Sequence, residues 1–205
     1  MEVVCLDLEG VLVPEVWINV ADRTGIEELR LTTRDISDYD ELMTYRLGVL
    51  DKHNIRLSDI QSVIGELTPL DGAAEFLDWL RPRFQVVILS DTFYEFAAPL
   101  MKQLSWPTLF CHRLEVDSEG RISGYKLRMP DQKRACVEAF RAVEFRTMAA
   151  GDSYNDTTML GAADTGILYC PPDQVIADFP QFPVTRNYDE LRDAFIAASI
   201  RDIQV

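Results

Sequence analysis

The chain has 205 residues, 47% of them hydrophobic, and carries 34 acidic against 20 basic side chains for a formal charge of −14. That length suits one substantial core, alone or with a small attached module. The charge disfavours broad binding to DNA, RNA or anionic lipid, whose phosphates such a surface repels.

Val3-Val4-Cys5-Leu6 reads as a buried strand ending at polar Asp7. Pro14-Glu15 can open a helix, since proline is tolerated at a first helical position. From there to about Gly65 the apolar residues, among them Trp17, Ile18, Ala21, Leu29, Leu42, Met43 and Leu47, recur at mostly helical spacings. Polar stretches such as Thr32-Thr33-Arg34-Asp35 break the pattern into segments. The expectation is a helical module over residues 15–66, inserted between 1–14 and a core resumed at 67–205.

Beyond Pro69 the two periodicities alternate. A helix is predicted over 71–80, a central strand over Phe84–Leu89 and a helix through Phe93 to Leu104. A short strand is expected over Thr108–Phe110. Leu114–Val116 and Ile122–Tyr125 bracket Asp117-Ser118-Glu119-Gly120 as a hairpin. A helix over Gln132–Ala142 and strands over Thr147–Ala150 and Gly166–Tyr169 follow. Pro171-Pro172 and 179–183 read as turns, and a last helix runs from Asn187 to Ala198. Alternation of this kind predicts a three-layer α/β core. Ligands of such cores sit beyond the carboxyl ends of parallel strands, where strand order reverses.

Three polar segments follow the three best strand candidates: Asp7-Leu8-Glu9-Gly10, Ser90-Asp91-Thr92, and Gly151-Asp152-Ser153-Tyr154-Asn155-Asp156. Parallel alignment brings them to one sheet edge. There Asp7, Asp152 and Asp156 offer oxygen ligands suited to a hard cation such as Mg2+, and hydroxyl and backbone N–H groups can surround phosphate oxygens. Any one segment alone would be weak evidence.

In that ordered combination, with Lys133 downstream, the chain resembles the haloacid dehalogenase-like phosphatases. Within them it is most similar to the phosphoserine phosphatases, in particular the bacterial phosphoserine phosphatase–homoserine phosphotransferase branch. The resemblance spans roughly residues 3–170 and implies a Rossmann-like haloacid dehalogenase fold with an inserted helical cap. It implies Asp7 as a nucleophile carrying an aspartyl-phosphate, and Glu9 as general acid and then base. Glu9 departs from the broad family's usual aspartate; one methylene longer, it needs a different offset from the substrate. Ser90 and Lys133 would hold the phosphoryl group, with Lys126 and Arg134 as nearby alternatives to Lys133. Asp7, Asp152 and the carbonyl of Glu9 would bind Mg2+, with Asp156 close behind or reached through water. Glu15 and Arg46 would grip the ammonium and carboxylate of phosphoserine, and Asp91, Thr92 and Asn155 would shape the substrate site. Homoserine is the possible second acceptor. A phosphate substrate in so acidic a protein requires a cation and a few placed basic groups to invert the field locally.

Two readings of another kind compete: a receiver-like domain switched by phosphorylation of Asp7, and an inactive phosphometabolite-binding protein. Cys5, Cys111, Cys136 and Cys170 form no CxxC pair, so free thiols are expected rather than a zinc or redox motif. No run reaches the roughly 20 apolar residues of a membrane span. With no leader-like run ahead of Asp7, the cytosol is the expected compartment. Oligomeric state is not readable.

Overall fold

The computed structural model describes residues 1–32, 35–36 and 38–203. A seven-stranded sheet, in the order β4-β3-β2-β1-β5-β6-β7, forms its middle layer. The strands are β1 (Glu2–Leu6), β2 (Gln85–Phe93), β3 (Thr108–Val116), β4 (Ile122–Lys126), β5 (Arg146–Gly151), β6 (Thr165–Tyr169) and β7 (Val184–Thr185). All neighbours pair in parallel except β3 and β4. From β1 the chain builds outward through β2 and β3, then returns to β1's other side with β5. The order therefore reverses at the β1–β5 seam, where an open α/β sheet leaves a crevice.

Both faces of β1 are buried, because period two sends Val4 and Leu6 one way and Val3 and Cys5 the other. Val3 and Cys5 join Val137 of α6 (Gln132–Ala142), Leu160 of α7 (Thr157–Ala162) and Val175 of α8 (Asp173–Asp178). Val4 and Leu6 join Phe76 of α4 (Ala73–Leu80), Phe96 of α5 (Tyr94–Gln103) and Phe195 of α9 (Tyr188–Ala198). That second cluster continues into the segment between β1 and α4, which holds α1 (Val16–Thr24), a 3-10 turn (Glu27–Arg30), α2 (Tyr39–Lys52) and α3 (Leu57–Glu66). Val20, Leu29, Met43 and Ile64 are among its buried members there. The expected break at Thr32-Thr33-Arg34-Asp35 lies partly outside the described residues.

Three elements differ from the sequence expectation. β2 does not stop at Leu89 but runs on through Ser90, Asp91 and Thr92, with a register shift against β3 between Leu89 and Phe93. Thr108–Phe110 and Leu114–Val116 are halves of one strand, β3, which pairs first with β2 and then with β4. The proline-marked C-terminal stretch contains α8 and β7 in addition to turns. Among the described residues no helix is long and apolar enough to cross a membrane, and all four cysteines are free thiols, three of them buried.

Candidate active site

The backbone sets the geometry before any side chain acts. Asp7 donates its N–H to Ala150 O at 2.9 Å, so residue 7 extends the β1–β5 ladder by one step. The chain then turns sharply at Gly10, whose φ is +76° and whose absent Cβ would lie 2.5 Å from Asp152 Oδ2. Gly151 leaves similar room: a Cβ there would meet Asp156 Cγ at 2.3 Å. Glycine at both positions lets two carboxylates pack against main chain.

Lys133, on the first turn of α6, reaches across to them. Its Nζ lies 2.8 Å from Asp7 Oδ1, 2.8 Å from Asp156 Oδ1 and 3.7 Å from Asp91 Oδ2, with the side chain only 3% exposed. Burial works against its charge, but Asp156, Asp7 and Asp91 outweigh that and hold its pKa well above the usual lysine value. Lys133 is therefore the basic group at the centre of this cluster, and the structure places the two alternatives elsewhere. Arg134 pairs with Asp131 on an exposed helix face, and Lys126 ends β4 opposite Arg113.

One lysine does not balance this cluster. Asp7, Asp152 and Asp156 each present one oxygen within 4.8 Å of the others. Burial first, then Asp156, pushes Asp7 well above the usual carboxylate range despite Lys133. Burial, Asp156 and Glu15 push Asp152 up to about 7. Crowded, desolvated carboxylates of this kind call for a further positive charge, and an all-oxygen donor set fits a hard divalent cation. Asp156 already uses both oxygens, accepting from Lys133 on one and from the N–H groups of Asp152 (3.0 Å) and Ser153 (3.2 Å) on the other. It braces the loop, and Asp7 and Asp152 have the freer oxygens for such a cation.

Glu9 stands apart from that cluster. Its Oε2 accepts the N–H of Val16 at 2.8 Å, at the start of α1. Burial and the neighbouring Glu15 raise its pKa to about 7, against the pull of Val16 and Thr92. Ser90, buried in β2, accepts the N–H of Thr92 on Oγ at 3.2 Å, which leaves its own O–H to donate.

A cavity of about 320 Å³ joins these groups. Its charged floor is Asp7, Ser90, Lys133 and Asp152, with Asp91, Thr92 and Asn155 along one side and Glu9 and Glu15 along another. Arg46 enters from α2. It is buried and not on a solvated helix face, stacks 4.5 Å over the Trp17 ring, and gives one N–H to Leu31 O at 2.7 Å. Its Nε is buried without a hydrogen-bond partner among the described residues. Of the site residues singled out in the sequence, all line this cavity except Asp156 and the alternatives Lys126 and Arg134; Asp156 is fully buried and accepts a hydrogen bond from Lys133. Trp17, Ile18, Tyr39 and Leu42 line it too; helical spacing had marked Trp17, Ile18 and Leu42 only as packing residues, and nothing had marked Tyr39.

Residues 1–164 match the haloacid dehalogenase-like hydrolase family. The chain belongs to that family. Among its curated relatives is the phosphoserine phosphatase of Pseudomonas syringae pv. tomato, 62% identical over 203 residues that cover 99% of this chain and 86% of the relative. The phosphoserine phosphatase ThrH of Pseudomonas aeruginosa is 59% identical over the full length of both. A solved phosphoserine phosphatase in apo form superposes with a TM-score of 0.76 at 20% identity, covering 94% of this chain and 98% of its own, and shares the fold. Membership in this hydrolase family does not favour the receiver-like switch.

Proposed function

We propose that this hydrolase is a phosphoserine phosphatase that works through an aspartyl-phosphate on Asp7, and that homoserine can replace water as acceptor. The observation that carries the reading is the buried Asp7 carboxylate, held at 2.8 Å by Lys133 on the floor of a cavity that also contains Ser90. The names of the two Pseudomonas relatives supply the substrate class, phosphoserine.

Asp7 attacks phosphorus, and the serine oxygen leaves. Lys133 and the Ser90 hydroxyl hold the phosphoryl oxygens, whose charge is spread in the transition state. Glu9, with a pKa of about 7, gives a proton to the departing alkoxide and takes one from the incoming water or alcohol. Mg2+, held by Asp7, Asp152 and the Glu9 carbonyl with Asp156 behind, would neutralise phosphate charge at that edge. Glu15 and Arg46 both line the cavity with opposite charges, which suits the ammonium and carboxylate of an amino acid. Asn155 and the Asp91–Thr92 backbone complete the substrate's surroundings. Residues 15–66 act as the cap that closes over this edge. Four unpaired thiols suit a reducing compartment such as the cytoplasm.

The test is a Mg2+-dependent product assay with phosphoserine, with and without homoserine. Serine and inorganic phosphate are expected from the first, and O-phosphohomoserine in addition from the second. Asp7→Asn abolishes both; normal turnover by a folded Asp7→Asn protein removes the nucleophile from the account.

A further inference from the structure

The carboxylates around Lys133 are not equivalent. Asp7 takes the phosphoryl group in the proposed reaction and Asp152 and Asp156 belong to the cation cluster, so their charges change or are shared during turnover. Asp91 is outside that cluster and is the anchor that stays constant. Asp156 holds Lys133 at 2.8 Å from one side, so what holds Asp91, 3.7 Å away, sets its position from the other when Asp7 is esterified.

Asp91 lies in the part of β2 where the register against β3 shifts, and the next paired position sets Phe93 against His112. There the Asp91 carboxylate faces Gln132 and Lys133 of α6. Its Oδ2 accepts from Asn155 Nδ2 at 3.0 Å and faces Lys133. Its Oδ1 faces His112 Nε2 at 3.5 Å and Gln132 Nε2 at 3.4 Å. Its carbonyl accepts the Tyr39 hydroxyl at 3.1 Å. The His112 ring is 4% exposed and packs between Phe93 and Tyr39. Its Nδ1 accepts the backbone N–H of Arg128 at 3.1 Å. An acceptor at Nδ1 places the ring proton on Nε2, pointing at Asp91. Burial disfavours the Asp91 carboxylate's charge, yet Lys133, His112 and Asn155 together keep its pKa well below the ordinary range.

We propose that His112 is a positioning residue: through its Nε2–H bond to Asp91 it fixes the carboxylate that keeps Lys133 over the phosphoryl group throughout the reaction. The inference rests on the aspartyl-phosphate reading but not on phosphoserine as substrate. A neutral donor does this without adding a second cation that would compete with Lys133 for the same carboxylates.

The experiment compares His112→Phe, which keeps the ring volume and removes the donor, with His112→Gln, which restores an N–H. Both are assayed per active site, with thermal melting as the fold control, on phosphoserine and on p-nitrophenyl phosphate. The second substrate has a leaving group that needs no proton from Glu9. His112→Phe is expected to lower kcat about tenfold on both, in keeping with one lost hydrogen bond to a charged group, with KM little changed. His112→Gln recovers most of it. In an Asp91→Asn background His112→Phe adds nothing further, because the two act in series. Additive losses, an unaffected His112→Phe enzyme, or a His112→Gln enzyme as slow as His112→Phe would each overturn the proposal. Wild-type turnover of p-nitrophenyl phosphate without phosphoserine turnover would reject the substrate reading and leave this test intact.

Discussion

The floor and the roof of the cavity are built on opposite plans. On the floor, the Asp7 and Asp156 carboxylates are tied by Lys133, and glycines at 10 and 151 admit Asp152 and Asp156 at main-chain distance. On the roof, Arg46 keeps a buried Nε without a partner among the described residues, and its guanidinium rests on an aromatic ring, one carbonyl and the Met43 sulfur. A polar group left unsatisfied in a buried place costs stability, and under the proposed function the substrate carboxylate would offset that cost. On that reading the floor is preorganised for charge that develops during reaction, and the roof for binding. Changes to the floor are thus expected to fall on kcat, and changes to the roof on KM.

The largest effect expected in breaking that contrast is Lys133→Met. It removes a transition-state contact, worth roughly 10²–10³ in kcat by analogy with other oxyanion donors, and strands buried carboxylates without their cation. Steady-state kinetics should show the fall in kcat, and melting curves a loss of stability that added Mg2+ partly restores. Arg46→Met comes next. It should raise KM for phosphoserine by about ten- to a hundredfold, the worth of a hydrogen-bonded charge pair, with kcat changed far less. An equal fall in kcat would place Arg46 in the chemistry and erase the distinction.

Glu9 lies between the two regions, and pH separates its roles. Its pKa is about 7 where a free glutamate has about 4.5, so it is protonated below pH 7 and ionised above. Formation of the phosphoenzyme needs the acid and should slow as pH rises through about 7. Breakdown needs the carboxylate and should speed up over the same range. Because Glu15 contributes to the upward shift, Glu15→Gln should move both inflections to lower pH; pre-steady-state rates across pH 5–9 read this directly.

The smallest effect on activity is expected far from both regions. Glu2 is buried at the start of β1 and accepts from Ser199 Oγ, Ile200 N and Arg201 Nε, clasping the end of the chain to the sheet. Burial opposes its charge, but those donors win and lower its pKa. Its contribution is therefore present above the ordinary carboxylate pKa and lost as pH falls through the lower folded value. Glu2→Gln should depress the melting temperature at pH 7, shrink that difference in acid, and leave kcat and KM unchanged.

Where the sequence was legible, a periodicity or a chain break carried the information. α6 has the expected bounds, Gln132–Ala142, and the last helix, expected from Asn187, begins at Tyr188 with Asn187 as a cap that accepts the N–H of Glu190. The floor was legible because parallel strands force residues that follow them to one edge. Three polar residues in a row, Ser90-Asp91-Thr92, resemble a loop; their place in β2, with a register shift against β3, is a pairing property with no local signature. His112 carries no local signal for a related reason. Cys111-His112-Arg113 falls between two short strand patterns, yet it is the point where β3 passes from a parallel partner to an antiparallel one. Tyr39 reaches Asp91 across 52 positions, a contact only the folded helices create.

The most direct test of the central claim is to quench the enzyme during turnover of phosphoserine labelled on phosphorus and to map the label. The account predicts a hydroxylamine-sensitive acyl phosphate on the peptide containing Asp7, formed and discharged at rates compatible with turnover. Stereochemical inversion at phosphorus with no labelled peptide, or label on any other residue, would contradict it.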